Sequence, residues 1–258
     1  MCELFGISGK TPVPVNAYLK ELASHSREHP NGWGMAVFYG DAVNLEKEPI
    51  MAIKSNYLQE RLRHPFEAQN MFAHIRLATK GGAAYENTHP FVKRDASGRA
   101  WTLIHNGTIF DCHSLDPYVH RQKGSTDSER ILLYIIDRIN ARMIESGGDL
   151  CSKERFEVLD QILCEITRPN NKVNLLVYDS ELTYVHTNMR ETLYYQELEN
   201  STMFATVPLC GGRWKPLPFT RLLAWKEGRL VFTGRDHGNE YIYDPEDMKY
   251  LFLDQACL

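Results

Sequence analysis

Cys2 combines a reactive side chain with a position at which the chain end itself can take part in chemistry. A small second residue favours removal of Met1, which would leave Cys2 with both a thiol and a free α-amine. An α-amine has a pKa of about 8, so part of it is neutral at physiological pH and can act as a general base. The sequence therefore predicts a nucleophile that needs no histidine partner. The alternative is a small apolar residue at the start of a strand.

A second candidate is the tripeptide His105-Asn106-Gly107, which ends a strand-like segment over residues 100–105. The Asn106 side-chain amide and the Gly107 main-chain N–H are two donors, and convergent donors stabilise a developing negative charge. Glycine also allows close approach to the backbone. The alternative is an ordinary Asn-Gly turn.

Arg76 and Asp127 are the charged residues that could recognise a substrate. Arg76 stands in the strand-like run HIRLAT, and its planar guanidinium suits a carboxylate. Asp127 stands in GSTDSE, at the start of a predicted helix. Together they would match the α-carboxylate and α-ammonium groups of an amino acid. The alternatives are an edge-strand arginine with an acidic partner and a helix-capping aspartate.

Hydrophobic periodicity predicts the elements that position these residues. The predicted helices are residues 14–28, 125–142 and 152–167, and the predicted strands are residues 2–7, 34–39, 71–78, 100–105, 173–178, 182–186, 203–207, 222–225 and 230–233. The order of strands, two helices and strands again indicates helices packed on antiparallel sheets, an α+β fold. The middle helix is apolar nearly all round, which favours burial in a four-layer αββα sandwich.

Composition narrows the class of protein and its partners. The chain has 258 residues, a formal net charge of −4 and 43% hydrophobic residues, which is typical of a folded globular protein. Because the charge is mildly acidic, we expect no nucleic-acid partner. We find no linker, no apolar run of membrane-span length and no signal peptide, so we expect a single cytoplasmic domain over residues 2–258 without membrane contact.

The six cysteines are scattered without a CxxC pair. In a chain without an export signal this predicts reduced thiols, and the spacing matches no zinc site. The adjacent residues Asp111, Cys112 and His113 carry metal-binding groups, but neighbours in sequence rarely chelate one ion. We therefore expect no metal.

The order of the motifs along the chain carries more information than any one of them. Cys2, HIRLAT, NTHP, HNG and TDSE follow one another in an order that resembles the glutaminase domain of class II glutamine amidotransferases. These are N-terminal-nucleophile hydrolases with an αββα sandwich. The resemblance is closer to the standalone YafJ-type subfamily, in which MCEL, a GWG segment and a late W-x-P-L-P tract recur. It covers residues 2–130 and extends more loosely to residue 235.

The resemblance implies roles in an acyl transfer. It implies that Cys2 is the nucleophile, with its own amine as base, and that Asn106 and Gly107 form the oxyanion hole. Water would then resolve the thioester to free glutamate. No cofactor is required by this chemistry.

The resemblance also implies a set of substrate-binding residues. Arg76 matches the residue that holds the substrate α-carboxylate, and Asp127 matches the one that holds the α-ammonium group. Thr79 falls in the substrate loop, and His89 matches a histidine near the site. The substrate would be a small γ-glutamyl molecule.

Two positions depart from the pattern of the synthase members. Leu77 follows the arginine where Trp is common, and Lys80 follows the threonine where His is common. We therefore expect residues 81–85 to form a differently shaped lid. We expect the leaving amine to contact residues 80–85 and the tract around residues 213–214.

Several functions stay open at this point. The first is a γ-glutamyl amide hydrolase that acts alone, and the second is a glutaminase subunit that passes ammonia to a separate synthase chain. The third is a non-catalytic γ-glutamyl sensor or scaffold, which a retained Met1 would favour. The Arg76 and Asp127 pair disfavours amidases of the bile-salt or penicillin type, whose substrates lack an α-amino acid head. A homodimer across an apolar sheet edge also stays open.

Overall fold

The computed structural model describes residues 2–78, 81–168 and 170–245, which form strands and helices in the following order. The strands are β1 (Glu3–Pro14), β2 (Trp33–Tyr39), β3 (Ala42–Glu48), β4 (Glu67–Ile75), β5 (Phe91–Arg94), β6 (Ala100–Thr108), β7 (Lys172–Tyr178), β8 (Thr183–Thr187), β9 (Tyr194–Glu197), β10 (Ser201–Ala205), β11 (Lys215–Pro216), β12 (Arg221–Lys226) and β13 (Arg229–Thr233). The helices are α1 (Asn16–Ser24), α2 (Asn56–Arg61), α3 (Asp127–Ser146) and α4 (Ser152–Ile166).

The first sheet contains the strand that begins next to Cys2. Its order is β11-β9-β10-β1-β4-β2-β3, with β1 antiparallel to both β10 and β4. Successive side chains of a strand point to opposite faces. Accordingly, Phe5 and Ile7 pack with Leu19 and Leu22 of α1, whereas Leu4 faces the second sheet.

The second sheet has the order β13-β12-β8-β7-β6-β5 and carries Asn106 and Gly107. Its outer face is covered by α3 and α4, through a cluster that includes Leu103, Ile131 and Leu159. None of the helices among the described residues is long and apolar enough to cross a membrane.

A third apolar cluster joins the inner faces of the two sheets. Phe72 and Phe204 of the first sheet pack there with Ile104 and Leu176 of the second. The layers therefore run helix, sheet, sheet, helix. The predicted α+β fold with a four-layer αββα order is confirmed.

The longer helices and strands occur where the hydrophobic periodicity predicted them. Their observed ends differ from the predicted ones where capping or pairing with a neighbouring strand determines the end. Helix α3 starts at Asp127 because the Thr126 side chain accepts a hydrogen bond from the Glu129 N–H, as expected for an N-cap. The first strand runs on to Pro14, since its pairing with β4 resumes after an irregularity. The short elements α2, β5, β9 and β11 have too few residues to show a period, and the sequence did not predict them.

Candidate active site

Cys2 lies immediately before β1, at the end where the chain also leaves β4. Its Sγ donates a hydrogen bond to the main-chain carbonyl of Leu77, at 3.4 Å. The residue is half-buried. Burial raises the pKa of the Cys2 thiol, while the bond to Leu77 and the charge of Arg76 lower it. The protonation state of this thiol therefore depends on its burial and on these neighbouring groups.

Asn106 and Gly107 lie beside Cys2, although they follow it by 104 and 105 positions in sequence. Neither residue forms a turn. Both continue β6, where they pair with Asn174 and Val173 of β7, so the strand extends past the end predicted from sequence. Asn106 and Gly107 line the same cavity as Cys2. The fold therefore brings Asn106 and Gly107 to the wall of the thiol's cavity.

Arg76 was predicted inside a strand, and the structure corrects this: β4 ends one residue earlier. Its main chain still pairs with the neighbouring segment, because its N–H donates to Gly32 O at 2.8 Å and its carbonyl accepts from Asn31 N at 3.0 Å. The guanidinium is buried and donates to the carbonyls of Gly82 at 3.0 Å and Gly81 at 2.9 Å. Arg76 therefore holds the loop that was predicted to be the lid.

Asp127 is the first residue of α3 and is buried. Its Oδ2 accepts a hydrogen bond from the Ile109 N–H at 2.8 Å, which ties the start of the helix to the end of β6. A carboxylate here also meets the positive end of the helix dipole. The same bond therefore fixes Asp127 relative to Asn106 and Gly107.

The three charged or reactive groups lie within electrostatic reach of one another. Burial lowers the pKa of Arg76, whereas the charges of Cys2 and Asp127 raise it. The charge of Asp127 in turn raises the pKa of the Cys2 thiol. Arg76, Asp127 and the Cys2 thiol are therefore electrostatically coupled.

His89 belongs to a buried pair of histidine rings. Its ring stacks on His74 with 4.1 Å between ring centroids, and neither of its nitrogens has a hydrogen-bond partner in the described part of the chain. Burial holds its pKa well below the usual range, so the ring is neutral. His89 does not line the Cys2 cavity.

Two of the predicted positions are not covered. Thr79 and Lys80 lie outside the described residues, and so does Met1. The tract around residues 213–214 is described, and it does not line the Cys2 cavity. The indole of Trp214 instead donates to the carbonyls of Leu209 and Gly211.

Most of the wall of the Cys2 cavity was not predicted from the sequence. The cavity of about 30 Å³ beside Cys2 is also lined by Leu77, Thr108, Phe110, Lys172, Met189, Tyr241 and Tyr243. A lysine at the start of the mostly apolar strand KVNLLVY is the signal that the sequence offered. Lys172 is buried, and burial lowers its pKa to about 8. Tyr241 and Tyr243 lie outside the strands and helices, so no periodic pattern could have identified them.

In chemical terms, the site combines a thiol, two nearby donors and two opposite charges. A thiol can attack a carbonyl carbon, and donors can hold the resulting oxyanion. No group of three His, Cys, Asp or Glu side chains that could hold a metal occurs in the described ranges. This combination suits acyl transfer to a cysteine.

Known proteins resemble this chain in sequence. A family model described as class-II glutamine amidotransferases matches residues 1–198. The chain is 29% identical over 263 residues to an uncharacterized protein of Methanocaldococcus jannaschii, covering 91% of this chain and 72% of that one. It is 28% identical over 244 residues to the putative glutamine amidotransferase YafJ of Escherichia coli, covering 84% of this chain and 94% of YafJ.

Solved structures share the fold. A predicted glutamine amidotransferase from Pseudomonas aeruginosa superposes with a TM-score of 0.63 at 20% identity, covering 90% of this chain and 100% of that one. A second structure, the allosteric regulatory enzyme of purine biosynthesis, gives a TM-score of 0.66 at 20% identity and covers 91% of this chain and 49% of that one. At such identities the likeness concerns the fold alone.

Proposed function

The chain belongs to the class-II glutamine amidotransferase family, and we propose that it is an N-terminal cysteine amidohydrolase. In this proposal it cleaves the γ-glutamyl amide bond of glutamine or of a related γ-glutamyl compound. The observation that carries the proposal is the shared cavity of Cys2, Asn106 and Gly107. The products are glutamate and ammonia or an amine.

The nucleophile would be generated when Met1 is removed. The free α-amine of Cys2 takes the proton of its own thiol, and the thiolate attacks the γ-carbonyl carbon. The oxyanion is stabilised by the Asn106 amide and the Gly107 N–H. The C–N bond then breaks, and the proton passes from the Cys2 ammonium to the leaving amine.

The second half of the reaction releases the acyl group. The neutral α-amine of Cys2 takes a proton from water, and the hydroxide attacks the thioester carbonyl. The C–S bond breaks, the thiol regains its proton, and glutamate leaves. The amine returns every proton that it accepts, so the cycle ends with the enzyme in its starting state.

Arg76 and Asp127 would hold the amino-acid end of the substrate. A guanidinium binds a carboxylate through two parallel hydrogen bonds. The carboxylate of Asp127 would attract the α-ammonium group. Their support comes from burial and from their electrostatic coupling to Cys2. Thr79 and His89 remain proposals on the resemblance alone, Thr79 in the substrate loop and His89 near the site.

The test is the intact mass of the protein before and after incubation with 6-diazo-5-oxo-L-norleucine, a diazoketone that mimics a γ-glutamyl group. We expect loss of Met1 and one adduct on Cys2, which Cys2→Ala abolishes together with glutamate release. A retained Met1 without adduct would replace the proposal by a binding or scaffold role. A labelled enzyme whose slow glutaminase is stimulated by a second chain would favour an ammonia-supplying subunit.

A further inference from the structure

The segment of residues 236–243, here called the C-terminal segment, lies beyond the part of the chain that the family model matches. Main-chain bonds attach it to the second sheet. The His237 N–H donates to Thr220 O at 2.9 Å, and the Tyr241 N–H donates to Asn188 O at 2.7 Å. The segment therefore follows the end of β8 towards the site.

Side chains secure the same segment at further points. The Asn239 amide donates to the carbonyl of Cys164 at 3.1 Å and to Thr167 Oγ1 at 3.1 Å. The His237 and His186 rings join through their Nε2 atoms at 3.0 Å. These bonds attach the segment to both α4 and β8. Its path is therefore determined by these contacts and not by a secondary-structure propensity of its own.

The C-terminal segment brings two tyrosines to the Cys2 cavity. Tyr241 is 4% exposed, and its ring lies parallel to that of Phe110, with an interplanar angle of 4° and 6.4 Å between centroids. Tyr243 is 52% exposed, so it forms the outer edge of the wall. Met189 completes the apolar part of this wall.

The lining of the cavity suggests which part of the substrate its wall would meet. Tyr241 and Tyr243 line the cavity beside Cys2, whereas Arg76 and Asp127 do not. Since those two would hold the amino-acid end, we expect the cavity that they do not line to receive the group that leaves. Its free volume of about 30 Å³ compares with the roughly 10–15 Å³ that one water-sized probe needs. A space of this size accommodates ammonia, and we expect the tyrosines that line it to exclude an aromatic amine.

We propose that Tyr241 and Tyr243 set the size of the leaving amine and restrict turnover to γ-glutamyl amides of ammonia or of very small amines. This inference rests on the proposed function. Tyr243 is the residue to alter, because its exposed ring supports little of the core. Removing that ring opens the outer edge of the wall and leaves the attachment of the segment intact.

The first measurement compares kcat/KM for glutamine, γ-glutamyl methylamide and γ-glutamyl anilide. We expect the wild-type protein to reject the anilide, and Tyr243→Ala to raise anilide turnover relative to glutamine roughly tenfold or more. Tyr39→Ala is the matched control, since Tyr39 is 64% exposed and does not line the Cys2 cavity. It should leave the ratio unchanged.

The second measurement does not require turnover. Alkylation of Cys2 by iodoacetamide and by its bulky N-phenyl derivative is followed by peptide mass mapping. Tyr243→Ala should increase the rate of Cys2 alkylation by the bulky reagent more than the rate by iodoacetamide. Tyr39→Ala should leave the ratio of the two rates unchanged. The proposal is overturned if the wild-type protein hydrolyses the anilide as well as glutamine, or if Tyr243→Ala changes neither ratio. If no substrate is hydrolysed but Tyr243→Ala still speeds alkylation by the bulky reagent, the proposed function is rejected. The size-limiting role of the wall is then retained.

Discussion

The main-chain carbonyl oxygen of Lys172 occupies the space that a β-carbon on Gly107 would need. The two residues meet where β6 pairs with β7, next to the cavity of Cys2. Any side chain at position 107 would push the strands apart, because neither backbone can yield locally. Glycine at this position thus serves the packing of the sheet as well as the proposed oxyanion hole.

Gly107→Ala should therefore reduce both stability and activity. Overpacking at a rigid contact costs about 1–3 kcal/mol, and the displaced strand moves the neighbouring Asn106 amide. The thermal midpoint and the rate of glutamate release measure the two effects. Gly148→Ala is the control, because no atom lies within 4 Å of a β-carbon there. A Gly107→Ala protein with wild-type midpoint and rate would contradict the close contact.

Asp127→Asn should remove the negative charge at the start of α3 and keep the hydrogen bond that the side chain accepts there. The amide oxygen can still accept the Ile109 N–H, so the thermal midpoint should stay close to that of the wild type. Loss of the negative charge should raise KM for glutamine about tenfold, as for a charge-assisted hydrogen bond. Asp127→Ala, which loses both, should lower the midpoint as well. An Asn variant with unchanged KM would remove Asp127 from substrate binding.

Arg76→Lys should weaken the loop that the guanidinium holds. One ammonium is a point charge and does not reproduce the planar fork that donates to Gly81 and Gly82. We expect a higher KM and faster proteolysis within residues 81–85. Arg63→Lys serves as the control, because the Arg63 side chain is 74% exposed. Equal proteolysis of both variants would show that Arg76 does not order the loop.

Acid should destabilise the fold through its buried histidines. Burial lowers the pKa of His74 to about 3 and that of His89 well below 6.5, so both stay neutral when folded. Once unfolded they regain a pKa of about 6.5 and bind protons, so the free energy of unfolding falls as pH drops below that value. Urea unfolding between pH 7.5 and 5 measures the slope.

His89→Leu isolates one of these groups. The slope should decrease by up to about 1.4 kcal/mol per pH unit, since one proton fewer is taken up on unfolding. His64→Leu is the matched control, because the His64 side chain is 71% exposed. If both variants kept the wild-type slope, His89 would not be held neutral in the fold.

Local sequence signals identified the elements that the site depends on. The sequence predicted the start of the middle helix at residue 125, two residues before α3 begins at Asp127, because a helix start is decided within a few residues. Short apolar runs predicted β2 and β7. Neither signal could place Arg76 beyond the end of β4 or keep Asn106 inside β6, since strand ends depend on the partner strand.

The sequence by itself determined the residue types of the candidate site and their order along the chain, from which Cys2 was predicted as the nucleophile. Residue type was sufficient for this prediction, because the thiol group belongs to the residue itself. Only the tertiary structure decided that Tyr241 and Tyr243 stand beside that thiol. Their place results from hydrogen bonds of the C-terminal segment to β8 and α4, far away in sequence. Such long-range contacts leave no periodic trace in the residues that make them.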